Sequence, residues 1–162
     1  MKLKTLLIAV SALVVAGAVA GCSDSTHGDK QTLKLTEPGG QGSGGAIGKA
    51  TDKSSPPGSG FAFSTPFQDA SGKTVGELDA MCVATQPSTD SINGQCTGTA
   101  TVPGGTLALN VGGKNIGSNI TGSIVGGTGK YAGATGTFTS VDAGGGGKGD
   151  PSSTDTFEIT LP

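Results

Sequence analysis

The chain has no arginine and no tryptophan, one histidine (His27) and one tyrosine (Tyr131). Only 14% of its 162 residues are charged and 4% are aromatic. Each shortage excludes something. Without arginine, and at a net charge of −2, the chain lacks the basic footprint with which nucleic-acid binders neutralise phosphates. With a single histidine, placed in a polar tether, four-ligand zinc is poorly supported and histidine acid–base catalysis is excluded. No segment of useful length repeats its apolar residues at helical spacing. The longest apolar run, Leu6 to Val19, falls short of the about 20 residues that a membrane-crossing helix needs. What the chain does have is glycine, 31 residues of it. These glycines show no three-residue period, which excludes collagen.

The N-terminus carries an address. Lys2 and Lys4 precede the apolar run, which closes on Val19-Ala20-Gly21-Cys22. That is the charged region, apolar region and small-residue cleavage site of a signal peptide. The block resembles the lipobox of bacterial lipoproteins. The resemblance implies that residues 1–21 form a signal-peptide helix that is removed, and that Cys22 becomes a lipidated N-terminus. Two or more acyl chains anchor stably where one holds marginally. The expected location is therefore extracytoplasmic, with membrane lipid as the partner through Cys22. Loss of Lys2 and Lys4 takes the side-chain charge from −2 to −4. About 140 residues remain, enough for one domain with a modest core.

Residues 22–30 read as the lipidated cysteine and a flexible tether. From 31 to 162 the pattern is that of strands. Thr32-Leu33-Lys34-Leu35-Thr36 alternates polar and apolar, and Glu37-Pro-Gly-Gly ends it. Residues 38–59, rich in Gly, Ser and Pro, read as a long mobile loop. Alternation returns over 60–68, 74–85, 95–102, 106–111, 119–125, 135–141 and 154–161. Eight strands, each with one apolar and one Thr-rich or polar face, predict an all-β domain of antiparallel strands. An eight-stranded up-and-down barrel suits that pattern and leaves no open edge. A two-sheet sandwich is the alternative.

Two cysteines remain after Cys22. Cys82 and Cys96 lie symmetrically about the 86–94 loop, on the apolar parity of the third and fourth strands. In an exported chain a cross-strand disulfide is expected, with a metal site as the weaker rival.

Val125-Gly126-Gly127-Thr128-Gly129-Lys130-Tyr131-Ala132-Gly133-Ala134-Thr135-Gly136 resembles the Gly-Gly-Thr-Gly segment of dirigent proteins and allene oxide cyclases. Pro103 to Leu109, the 71–76 block and Cys96-Thr97-Gly98-Thr99 are similar to further blocks of that group, in the same order. The resemblance implies a calycin-like barrel over 31–162 with a central apolar cavity. Its signature glycines, Gly126, Gly127, Gly129, Gly133 and Gly136, suit tight turns and close backbone approach around Thr128. A phosphate-binding loop fails on spacing: Ile124 stands where its first glycine belongs and Tyr131 follows the lysine.

Parity also sorts the acids. Glu77, Asp79 and Glu158 alternate against apolar neighbours and face water. Glu37 and Asp155 share the inward parity and sit at strand ends, where a barrel mouth would be. They are the candidate catalytic residues, although no nucleophile–base–orienter set can be assembled. Tyr131 is expected to pack at a turn or rim. Small inward residues, Ala80, Gly98, Ala100, Gly122, Ala134 and Gly136, leave either room or only a narrow barrel. Three readings follow: a barrel binding a small apolar ligand, with no cofactor or metal; a cyclase- or dirigent-like enzyme on a lipid-derived or phenolic substrate; and a non-catalytic cell-envelope interaction module. The first is favoured over the enzyme.

Cys22→Ser in the full-length chain is expected to abolish incorporation of a labelled fatty acid and release the protein from the membrane fraction. Both are read by metabolic labelling and fractionation of the producing bacterium.

Overall fold

The computed structural model describes residues 28–51, 54–87, 92–116, 119–144 and 151–162. Cys22, the expected signal segment and His27 lie outside the described residues. Nine strands run in chain order: β1 (Lys30–Pro38), β2 (Ser43–Ile47), β3 (Gly60–Gln68), β4 (Thr74–Gln86), β5 (Ile92–Val102), β6 (Gly105–Ile116), β7 (Asn119–Gly127), β8 (Thr135–Asp142) and β9 (Pro151–Thr160). A single 3-10 turn, Gly129–Tyr131, joins β7 to β8. There is no α-helix among the described residues.

Eight of the nine strands close a barrel. Around it the order is β1-β9-β8-β7-β6-β5-β4-β3, and β3 returns to β1. Every pairing is antiparallel. The chain's first described strand thus pairs with its last, from Lys30 opposite Thr160 to Pro38 opposite Pro151. The sandwich alternative is set aside by this closure.

The ninth strand corrects the expectation of a loop over 38–59. Ser43–Ile47 pairs along β3, from Ser43 opposite Ser64 to Ile47 opposite Gly60. Ala50, Ser55 and Ser59 of the same segment are buried. Composition pointed to loop because β2 is Ser-Gly-Gly-Ala-Ile, with no alternation to read. Its order comes from backbone pairing to an edge that β1 leaves open. β5 also starts earlier than expected: Asn93 and Gly94 belong to the strand, and the register shifts beside them.

Alternation sets which side chains point inward. On β9, Asp155, Phe157 and Ile159 are buried while Glu158 is exposed. Phe157 sits at the centre. Phe67 meets it edge-on at 5.9 Å and Phe138 lies 5.2 Å away at 37°. Leu35, Leu78, Ala100, Leu107, Ile124 and Ile159 complete this solid part of the core. Tyr131 is fully buried beneath it, and its hydroxyl donates to the Pro103 carbonyl at 3.3 Å. From the turn between β7 and β8, Tyr131 packs into the core.

The glycine-rich block builds that turn. Gly129 has φ +61 and Gly136 has φ +149, conformations that residues with a Cβ resist. A Cβ at Gly136 would collide with the Glu158 carbonyl oxygen, and one at Gly129 with that of Gly104. Thr128 docks the turn on β6: its N–H donates to Thr106 O at 2.9 Å, and the two threonine hydroxyls share a bond of 2.8 Å. Gly126 differs from Gly129 and Gly136: it lies in β7 with open space where a Cβ would stand.

Truncating the central aromatic should remove both buried area and its two ring contacts. Phe157→Ala is expected to destabilise the fold by about 3–5 kcal/mol. Glu158→Ala, one residue away and exposed, should change it by less than about 0.5 kcal/mol. Urea unfolding of the two variants makes the comparison.

Candidate functional site

The interior is not filled throughout. Beyond the phenylalanine cluster the barrel opens into a cavity of about 440 Å³. Its wall is largely apolar or small: Phe63, Leu78, Ala80, Gly98, Leu109, Val111, Ile120 and Phe138. The Cys82–Cys96 disulfide also lines it. These cysteines face each other in the β4–β5 register, as their spacing and parity predict. A crosslink inside the wall holds two strands together where the cavity removes the packing that would otherwise do so.

One side of the wall is polar. Glu37, Ser140, Asp142, Ser152 and Ser153 line it, and Asp155 lies fully buried beside them. The strand register explains the grouping. Glu37 on β1 is opposite Ser153 on β9, which is opposite Asp142 on β8. One step inward, Leu35, Asp155 and Ser140 form the next row. Glu37 and Asp155 are thus a diagonal pair on the inner face of two neighbouring strands, within reach of each other. Thr65 of β3, also buried, approaches Glu37 from the other side.

Satisfaction of the pair is incomplete. The Ser153 hydroxyl donates to Asp155 Oδ2 over a long 3.5 Å. Asp155 Oδ1 is buried with no hydrogen-bond partner among the described residues. The Ser152 hydroxyl donates to the Glu37 backbone carbonyl at 3.0 Å, which ties β1 to β9.

Burial and mutual repulsion move the protons. The Glu37 carboxyl is pushed up to about 8, first by burial, then by the charge of Asp155 and by hydrogen bonding with it; Thr65 and Ser153 oppose the rise. Asp155 is raised by burial, against the pull of Ser140, Glu37 and Ser153. Two like charges in one apolar wall cannot both ionise easily. Near neutral pH the pair therefore holds a proton that isolated carboxyls would have lost. An apolar cavity with a proton donor and a proton acceptor in its wall can orient a polar group of a ligand, or move a proton on it.

The structure brings together the two acids singled out by parity. It also adds groups that sequence reasoning missed. Ser140 and Asp142 continue the inward parity of Phe138, Ser153 that of Asp155, and Thr65 that of Phe67. Asp142 went unseen because the expected strand ended at Val141. The hydroxyls went unseen because Ser and Thr are common on both faces.

No protein-family model matches the sequence, and no curated protein matches it. Solved structures do. The fold is that of closed, antiparallel dirigent- and allene oxide cyclase-like barrels. Among these, a pyocyanin demethylase is similar with a TM-score of 0.63 and 24% identity, over 80% of this chain and 100% of that one. Two pterocarpan synthase dirigent proteins are similar at TM-scores of 0.54 and 0.55, with 16% and 18% identity. Both matches cover 83% of this chain, and 97% and 85% of theirs.

Stability should report the raised carboxyl. Glu37 binds its proton more tightly when folded than its ordinary value of 4.5, so the folded state is favoured at low pH. That advantage is lost as pH rises from the unfolded value through about 8. Glu37→Gln is expected to flatten this dependence. Relative to the wild type it should raise stability by about 1–3 kcal/mol above the folded value and change little below the unfolded one. Denaturant midpoints measured across the range give the answer.

Proposed function

We propose that the mature protein is a lipid-anchored extracytoplasmic barrel that holds a small, mainly apolar ligand in this cavity. The observation that carries the reading is the polar cluster in an otherwise apolar, half-empty interior. A barrel of this strand number is wide enough to be filled by side chains or to hold one small ligand, and this one is only partly filled. Anchoring through Cys22 is supported by the lipobox-like block and by membrane energetics. Open space inside the barrel weighs against a purely structural envelope module.

A second reading, an isomerase or cyclase acting on the bound molecule, is favoured by one feature. Glu37 and Asp155 sit on neighbouring strands with their proton affinities raised. A carboxyl that keeps its proton near neutrality is poised to donate it, and a partner that has lost one is poised to accept. The solved neighbours include one named as a demethylase and others named as synthase dirigent proteins, which is consistent with either reading.

Native mass spectrometry of the protein purified from its own host should show a copurifying molecule. Ala80→Leu, which adds volume to the cavity wall, should weaken that binding by at least about tenfold with an unchanged melting temperature. Wild-type protein that is folded and empty, and stays empty with the host's lipid and aromatic extracts, would sink the ligand reading. Conversion of an added extract component by the wild type, lost in Glu37→Gln, would decide for the enzyme.

A further inference from the structure

The barrel has two unlike ends. At one end β1 starts, β9 finishes, and the turns after β3, β5 and β7 gather. All three turns are among the described residues, and this end is filled. Tyr131, Phe67, Phe157, Leu107 and Ile159 are fully buried there. Its turns are also bonded to one another: the Tyr131 hydroxyl donates to Pro103 O, and the Lys130 N–H to Gly104 O at 2.9 Å. The cavity lies towards the other end. Its wall takes Glu37 from the close of β1, Asp142 from the close of β8, Ser152 and Ser153 from the start of β9, and Ile120 from the start of β7. Asp142 and Phe63 of that wall are exposed. The N-terminal segment leaves from the filled end. The Leu161 N–H donates to Asp29 O at 2.9 Å, and a Cβ at Gly28 would collide with the Leu161 carbonyl oxygen.

We infer that the filled end is the surface this barrel turns to its membrane, so that the cavity faces away from the bilayer and exchanges its ligand with the aqueous phase. This rests on the readings of Cys22 as the anchor and of the cavity as a ligand site, and adds how the two are oriented. Chain length sets the limit. Six peptide links separate Cys22 from Gly28, and such a segment spans at most about 22 Å when fully straight. The nine residues of β1, Lys30–Pro38, extend about 26 Å along the strand. At the usual strand tilt that is about 20 Å of barrel height. A tether drawn straight back along the flank would bring the cavity end only level with the anchoring surface. No length would remain to sink that end into hydrocarbon. Every other course of the tether leaves the filled end nearer the bilayer. Packed side chains block passage through the filled end, so an apolar molecule in the same bilayer must cross water to reach the cavity.

Two labels and one dye test this on the full mature lipoprotein, held by its anchor in vesicles of phosphatidylethanolamine and phosphatidylglycerol. A fluorescent donor is attached at Lys73→Cys, in the turn after β3 at the filled end, or at Lys114→Cys, near the cavity end of β6; both positions are exposed. With an acceptor on the lipid headgroups, energy transfer should be greater from position 73 than from position 114. Equal or reversed transfer overturns the orientation. Protein that does not stay with the vesicles overturns the anchor, and the inference with it. In the second arm, vesicles of nitroxide-bearing lipid keep the neutral dye N-phenyl-1-naphthylamine dark until it enters the cavity. The dye is preloaded either into the protein's own vesicles or into protein-free ones mixed in afterwards. Fluorescence should rise at the same rate from both sources. A rise several times faster from the protein's own vesicles overturns the aqueous route. No rise from either, with protein that is folded by circular dichroism, overturns the ligand site and the exchange route together, while the labels still decide the orientation. The dye arm uses the wild type, so it decides even should a labelled variant fail to fold.

Discussion

Closure of the sheet between β1 and β3 is the constraint on which the rest of this structure depends. The seam is thin: one register pair, Thr36 with Gln68, and a 3.4 Å bond from the Thr36 hydroxyl to the Gln68 carbonyl. Both strands shift register beside it, between Glu37 and Pro38 on β1 and between Phe67 and Gln68 on β3. Such irregularities bend a strand and re-aim its side chains. They let a short first strand meet both the last strand and the third. The free remainder of the β3 edge is covered by β2, so the shortage of pairing at the seam explains the unexpected strand as well.

The candidate site lies along that seam. Glu37 follows the closing residue directly, and Thr65 reaches it from β3. Placing two carboxyls there destabilises the barrel at neutral pH, because their burial is incompletely compensated. The fold tolerates this through a solid phenylalanine cluster on one side of the cavity and a disulfide in its wall. An unrelieved cost at a concave site is the usual mark of function rather than of architecture. The orphaned oxygen and the displaced proton are consequences of one placement.

Much of the fold was legible. The inward and outward residues of β4, β8 and β9 follow from alternation, because a closed sheet admits only every second side chain to its interior. The cysteine pairing followed from parity and spacing for the same reason. The glycine block around Thr128 pointed to a tight, close-packed turn, and Gly129 and Gly136 occupy positions where a Cβ would strike backbone. What failed was local and had local causes. β2 has no alternation to detect, and Asp142 lies one residue past the last apolar signal of its strand.

By itself, the sequence determined that the domain is an antiparallel β-structure, which residues face inward, and which two acids share that inner face. Periodicity is a property of neighbouring residues along one strand, so it needs no knowledge of the others. Only the tertiary structure decided that Glu37 and Asp155 meet, although 118 positions separate them. It also decided that hydroxyls from three strands gather around them and that the interior is empty beside them. Those facts depend on which strands pair, in what register, and where a bulge bends the chain. They belong to the closed sheet and to no single segment of it.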